Sequence, residues 1–284
     1  MATFTNQATL SYNGTTVSSN IVTGQMISPL TITKTAVGGS YAAGETVTYV
    51  ISLVNDGSVT YENLTLTDDL GSYPVGQQNA CPLAYRPDTV RYFINGVPQP
   101  APAVTPGAPL VITGISVPAG GNAAVVYETQ VTAAAPLSAG GCIHNTAVLT
   151  GAGLSTPLEA SASVTVEEGA ELSILKSLFP ATVAENGQLT YTFLIQNHGN
   201  TPAEEAAGIV ISDLFDPILK DVAVTLNGAP MTAPAGYTYD QASGQFTTVA
   251  GQITVPAATY VQTADTGDWT VTPGEATLTV TGTV

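Results

Sequence analysis

The sequence predicts an all-β protein of two tandem immunoglobulin-like antiparallel sandwiches, preceded by an N-terminal strand that belongs to neither. Three observations carry this. Period-2 runs rich in Val, Ile, Thr and Tyr recur between Gly, Pro and Asn, as in Thr46–Val54 and Ala123–Val131. One block of the chain repeats at a constant offset. The second copy lacks a closing strand whose counterpart stands at the start of the sequence.

The composition bounds the function first. Among 284 residues there are 5 Lys+Arg against 21 Asp+Glu, a net charge of −16, which leaves no positive footprint for nucleic acid and disfavours anionic membranes. No run approaches the 18 or so apolar residues of a spanning helix. Gly and Pro are frequent, but 44% hydrophobic residues supply a core, and the length allows two domains.

The repeat then orders the elements. Leu30-Thr-Ile-Thr-Lys34 returns as Leu172-Ser-Ile-Leu-Lys176, and the match runs without a gap through Val47-Thr-Tyr49 and Leu189-Thr-Tyr191 to Asn55-Asp-Gly57 and Asn197-His-Gly199. Farther on, Leu64-Thr-Leu-Thr-Asp68 pairs with Ile209-Val-Ile-Ser-Asp213, and Ile94-Asn-Gly-Val-Pro98 with Leu226-Asn-Gly-Ala-Pro230. These blocks resemble the repeat called domain of unknown function eleven, found in tandem on bacterial surface proteins. That resemblance implies an extracellular structural or adhesive module.

The first copy closes with Cys142-Ile-His-Asn145-Thr-Ala147-Val-Leu149, and the second has no such strand after Leu278–Val284. A sandwich in that state exposes a groove and an unpaired edge. Phe4-Thr-Asn6-Gln-Ala8-Thr-Leu10-Ser-Tyr12 matches the closing strand, with Asn, Ala and Leu in register. The expected organisation is a donor strand and connector over residues 1–22, a first sandwich over 23–166 and an incomplete second sandwich over 167–284. Phe4, Ala8, Leu10 and Tyr12 are then the donor residues. Fold-back onto the chain's own second domain is one placement, and insertion into the second domain of the next subunit is the other. The second builds a head-to-tail homopolymer, because the contact is heterologous.

Strand parity sharpens the reading. Leu30, Ile32 and Lys34 share a face, as do Leu172, Ile174 and Lys176, and the same alternation turns Asp68, Asp213, Asn145 and Asn6 inward. Buried charges must pair or neutralise. A lysine made neutral by burial attacks an asparagine carboxamide while the acid shuttles protons, leaving an isopeptide bond and ammonia. Lys34, Asp68 and Asn145 would form this bond within the first domain, and Lys176 and Asp213 would meet Asn6 of a neighbour. The arrangement resembles the self-formed crosslinks of Gram-positive pilin and adhesin domains. The competing reading is a pair of structural ion pairs with turn-capping asparagines, and a bulge would hand the acid's role to Glu128 or Asp69.

Cys81 and Cys142 both fall in the first domain, where an oxidising surface setting favours a disulfide, with free thiols or an intersubunit bridge as alternatives. His144 and His198 do not make a metal-ligand spacing with them, so no metal and no cofactor is expected. Neither a nucleophile elbow nor a phosphate loop is present, and the chain is read as non-enzymatic apart from its own crosslinking. Trp269, Tyr237 and Tyr239 read as core or cross-strand aromatics ahead of a carbohydrate site. Met-Ala-Thr-Phe has neither a basic region nor an apolar core, so no signal peptide is recognised. The expected role is a subunit of an extracellular bacterial filament, a pilus or spore appendage, with a monomeric surface stalk or adhesin as the alternative.

Overall fold

The computed structural model describes residues 2–26 and 29–284, without the side chains of Ala2 and Met26. The chain falls into two compact units: Met1–Pro136 with Gly141–Val166 and Thr263–Asp268, and Leu137–Gly140 with Glu167–Gln262 and Trp269–Val284. Apart from one 3₁₀ turn at Glu205–Ala207, the regular structure is all β.

The N-terminal residues form four short strands: β1 (Ala2–Asn6), β2 (Thr9–Tyr12), β3 (Thr15–Ser18) and β4 (Val22–Met26). They pair with one another, β1 with β4 and β2 with β3, around a turn at Asn13 and Gly14. Both turn residues have positive φ, 47° and 74°, the backbone that a two-residue hairpin with the twist of its strands demands. The single donor strand expected from sequence is therefore one side of a hairpin, and the hairpin reaches beyond residue 22.

The first sandwich contains β5 (Leu30–Val37), β6 (Ser40–Tyr41), β7 (Thr46–Asn55), β8 (Tyr61–Asp68), β9 (Tyr73–Val75), β10 (Gln78–Ala80), β11 (Leu83–Tyr85), β12 (Arg91–Ile94), β13 (Val97–Gln99), β14 (Ala103–Thr105), β15 (Leu110–Val117), β16 (Gly121–Val131), β17 (Cys142–Thr150) and β18 (Leu158–Val166). One sheet runs β13-β12-β16-β7-β5, with β11 also on β16. The facing sheet runs β14-β15-β8-β17-β18-β6, and only its last pair is parallel. Alternate residues of β7 and β16 enter the core, where Tyr49 and Tyr127 stack with centroids 5.8 Å apart.

The second unit contains β19 (Leu172–Phe179), β20 (Gln188–Asn197), β21 (Ser212–Leu214), β22 (Lys220–Leu226), β23 (Ala229–Met231), β24 (Tyr237–Asp240), β25 (Gln245–Thr248), β26 (Thr259–Gln262), β27 (Trp269–Thr272) and β28 (Gly274–Thr283). Its larger sheet, β23-β22-β28-β20-β19, repeats the strand order of the first sandwich's Lys34 sheet. Its smaller sheet is only β24-β25-β21, against β14-β15-β8 and three further strands in the first. Among the described residues no strand pairs with the free edge of β21, where β17 and then β18 follow β8 in the first sandwich. Tyr237 and Tyr239 serve the fold: Tyr237 is buried against Phe246, and the Tyr239 hydroxyl donates to Leu219 O at 2.9 Å.

Candidate crosslinking sites

In the first sandwich, β5 brings Lys34 and β8 brings Asp68 into the space between the sheets. Alternation places both inward, since Leu30, Leu64 and Leu66 on the same faces are buried too. Lys34 Nζ donates to Asp68 Oδ2 at 2.6 Å, with both side chains essentially inaccessible to water. The Tyr127 hydroxyl, from β16, donates to the same oxygen, and Leu70 N donates to Asp68 Oδ1 at 2.9 Å. Burial outweighs the attraction of Asp68 and pulls the Lys34 amine below its ordinary pKa of 10.5. Burial and the neighbouring Asp68 push the Tyr127 phenol well up, so it remains a donor.

Asn145 lies on the strand beside Asp68. On β17 it is the inward residue next to Ala147, which faces Asp68 across the ladder. It is fully buried, and neither its Oδ1 nor its Nδ2 has a hydrogen-bond partner. Tyr49, whose ring lies 4.8 Å from Lys34 Nζ, turns its hydroxyl toward this carboxamide without closing a hydrogen bond. The other two fully buried asparagines behave differently. Asn55 Nδ2 donates to the carbonyls of Val59 and Pro118, both at 2.9 Å, and Gly57 N donates to its Oδ1 at 3.0 Å. Asn197 makes the matching bonds to Thr201 O and Pro256 O at 2.8 and 3.0 Å, with Glu171 N and Gly199 N on its Oδ1. The Asn-x-Gly repeat is thus a turn device, and Asn145 is a different kind of residue.

The alternative acids are engaged elsewhere. Glu128 accepts from Arg86 Nη1 at 2.8 Å on the surface, and Asp69 Oδ1 accepts from Gly71 N and Thr146 N at 2.8 and 2.9 Å.

The second unit repeats half of the cluster. Lys176 Nζ lies against Asp213 Oδ2 in a contact without hydrogen-bond geometry, and over the rings of Tyr191, Phe193 and Phe215 at 4.5, 5.5 and 5.6 Å. Here the lysine side chain is 42% exposed, against 0% for Lys34. Leu172 and Ile174, on the lysine's face of β19, are 41% and 53% exposed, whereas Leu30 is 1% exposed. The difference follows the topology, because β18 packs across β5 and the second unit has no strand corresponding to β18. Val280 stands opposite Tyr191 as Tyr127 stands opposite Tyr49, so this site also lacks the phenol donor.

Asn6 lies in β1, opposite Val22, with Phe4, Leu10 and Tyr12 exposed at 53%, 64% and 72% and Ala8 exposed beside them. The expected Cys81–Cys142 disulfide is not formed. Both thiols are free, and Cys81 Sγ is directed at the carbonyls of Leu83 and Leu70, at 3.0 and 3.7 Å. Burial raises its pKa. Among the described residues no cluster of His, Cys, Asp or Glu is arranged to hold a metal. Sequence reasoning missed Tyr127, Tyr49 and Tyr191. The tyrosine shared by Val47-Thr-Tyr49 and Leu189-Thr-Tyr191 was the signal for the last two.

No family model and no curated protein matches the chain, so the likeness to domain of unknown function eleven stands on its motifs alone. Solved structures match weakly. The pilus backbone RrgB of Streptococcus pneumoniae matches over 86% of this chain and 56% of its own, at 13% identity and TM-score 0.33. BcpA, the major pilin subunit of Bacillus cereus, matches over 96% and 73%, at 14% and 0.35. A family 123 glycoside hydrolase of Clostridium perfringens also matches, over 48% and 27%, at 10% and 0.27. The chain thus spans little more than half of the RrgB structure. Likenesses this weak, shared by pilins and an enzyme, leave function to the chain's own residues.

Proposed function

We propose that the chain is a structural subunit of an extracellular bacterial filament, a pilus or spore appendage, that polymerises head to tail. Its N-terminal segment fills the open side of the second sandwich of the next subunit. The observation that carries this reading is the pairing of a vacancy with a match: the strand with no counterpart beside β21 is β17, and its sequence is the one that residues 3–12 resemble. Backbone ladder bonds and alternate inward side chains then supply affinity and register. Each apolar side chain moved from water to the groove contributes about 1.5–3 kcal/mol.

Isopeptide bonds lock the assembly. Within the first sandwich, proton transfer from Lys34 to Asp68 yields a neutral amine and a neutral acid. The amine nitrogen attacks Cγ of Asn145 while Asp68 polarises the carboxamide oxygen; Asp68 then protonates the departing nitrogen and takes the surplus proton from the attacking one, so ammonia leaves as the neutral amide forms. The unpaired, fully buried Asn145 carboxamide, on the strand that pairs with that of Asp68, supports this reading over a structural ion pair. Between subunits, Asn6 of one copy meets Lys176 and Asp213 of the next.

Denatured wild-type protein is expected to run as SDS-resistant oligomers, each crosslink lowering the mass by about 17 Da, the ammonia expelled. Asn6→Ala is expected to remove the covalent oligomers while non-covalent assembly persists. Monomers of unmodified mass in the wild type would sink the proposal.

A further inference from the structure

We propose that the donated element is a two-stranded hairpin, residues 2–26, whose second strand covers the Lys176 site of the acceptor. The inference rests on the strand-donation reading above and deepens it. The vacancy in the second sandwich is two strands wide. In the first sandwich β17 lies beside β8, and β18 lies beside β17 and packs across β5. Donation of residues 3–12 alone replaces β17 and leaves the place of β18 empty.

Residues 2–26 already hold both strands in a matching register. Asn6 stands opposite Val22 as Asn145 stands opposite Ala162, and Leu10 stands opposite Val17 as Leu149 stands opposite Leu158. A one-residue slip between the two N-terminal ladders, around Ala8 and Ser19, is the insertion that a β-bulge accommodates. The faces correspond as well. Leu158, Ala162 and Val164 turn away from solvent on β18, and Val17, Val22 and Gly24 occupy their places. At one pair, Ile143 opposite Val164, the hairpin has Phe4 opposite Gly24. The Phe4 ring fills the space that a β-carbon on residue 24 would need, so bulk added on one strand is removed from the other.

The consequence is chemical. A lone donor strand delivers Asn6 but leaves the β19 face, and the half-exposed Lys176 on it, open to water. Covering by β3 and β4 reproduces the dehydrated setting in which Lys34 sits, and that setting generates the neutral nucleophile. Val17 and Val22 are therefore positioning residues for a bond they do not touch.

The test uses full-length protein. Val22→Asp and Val17→Asp should slow the appearance of SDS-resistant oligomers by about tenfold or more, the nearly isosteric Val22→Thr by roughly threefold, and the outward Thr23→Asp by less than about twofold. In assembled wild type, hydrogen exchange should find the amides of residues 15–26 protected together with those of 2–12. Wild-type crosslinking rates in Val22→Asp, or free exchange of 15–26 beside protected 2–12, would overturn the hairpin and leave single-strand donation standing. Covalent oligomers that persist in Asn6→Ala would overturn donation itself, and this inference with it.

Discussion

A fully buried carboxamide without partners costs about 1–3 kcal/mol for each group left unsatisfied. Asn55 and Asn197, equally buried, are saturated by carbonyls and amides, so the fold has the means to satisfy an asparagine and does not do so at Asn145. Tyr127 bears on the proposed chemistry, because its hydroxyl holds the carboxylate that would take and return the proton. Removing a hydrogen bond to a charged group costs about 1.5–3 kcal/mol, so Tyr127→Phe should slow crosslinking of the first sandwich tenfold or more, read by mass spectrometry during refolding. In Asn145→Ala, where Lys34 keeps its amine, NMR titration should place that amine below 10.5. The unfolded chain then binds the proton more tightly than the folded one. This group accordingly makes stability rise with pH between its folded pKa and 10.5. A titration at or above 10.5 would contradict the assignment.

β5 and β19 share their motif and place in the sheet but differ in cover, and the contrast between a buried and a half-exposed lysine follows from that alone. The Lys34–Asn145 bond would tie β5 to β17 across a loop of about 110 residues, restricting the unfolded chain by about 5 kcal/mol if it acts as a disulfide does. Asn145→Ala should lower the denaturant midpoint of the first sandwich accordingly, and an unchanged midpoint would speak against the bond. Period-2 parity made the inward turn of Lys34, Asp68 and Asn145 legible in the sequence, because an unbroken strand admits only two faces. The hairpin partner of residues 2–12 was not legible. Ser19 and Asn20 interrupt the alternation between β3 and β4, and recognising the pair requires knowing that β18 returns along β17. Tyr127 was hidden for a related reason, since its meaning depends on which strand faces Asp68 across the sandwich. The disulfide expectation used only chain order and compartment, neither of which reports where the Cys81 thiol points.

At the scale of the proposed assembly, donor and acceptor surfaces would differ, so each added copy would present a fresh acceptor and growth would continue until something blocked it. A chain lacking residues 1–26 would accept a neighbour and donate nothing. Mixed with wild type in rising proportion, it should shorten filaments seen by electron microscopy, and lengths that do not change would count against head-to-tail growth. The net charge of −16 per chain sets copies in mutual repulsion, so assembly should quicken as salt screens it.

If the proposed bonds form, the placement of Lys34 and Lys176 on the first strand of each sandwich would have a mechanical meaning. With both bonds closed, a pull along the filament enters at Asn6, follows the backbone to Lys34, crosses to Asn145, runs on to Lys176 and passes into the next copy. Residues 35–144 and 177–284, which include most of both cores, lie off that line and bear no tension. Stretching such a fibre would load residues 6–34 and 145–176, β17 and β18 among them, and spare the rest of both sandwiches, so its strength would come from covalent bonds more than from hydrogen-bonded sheets.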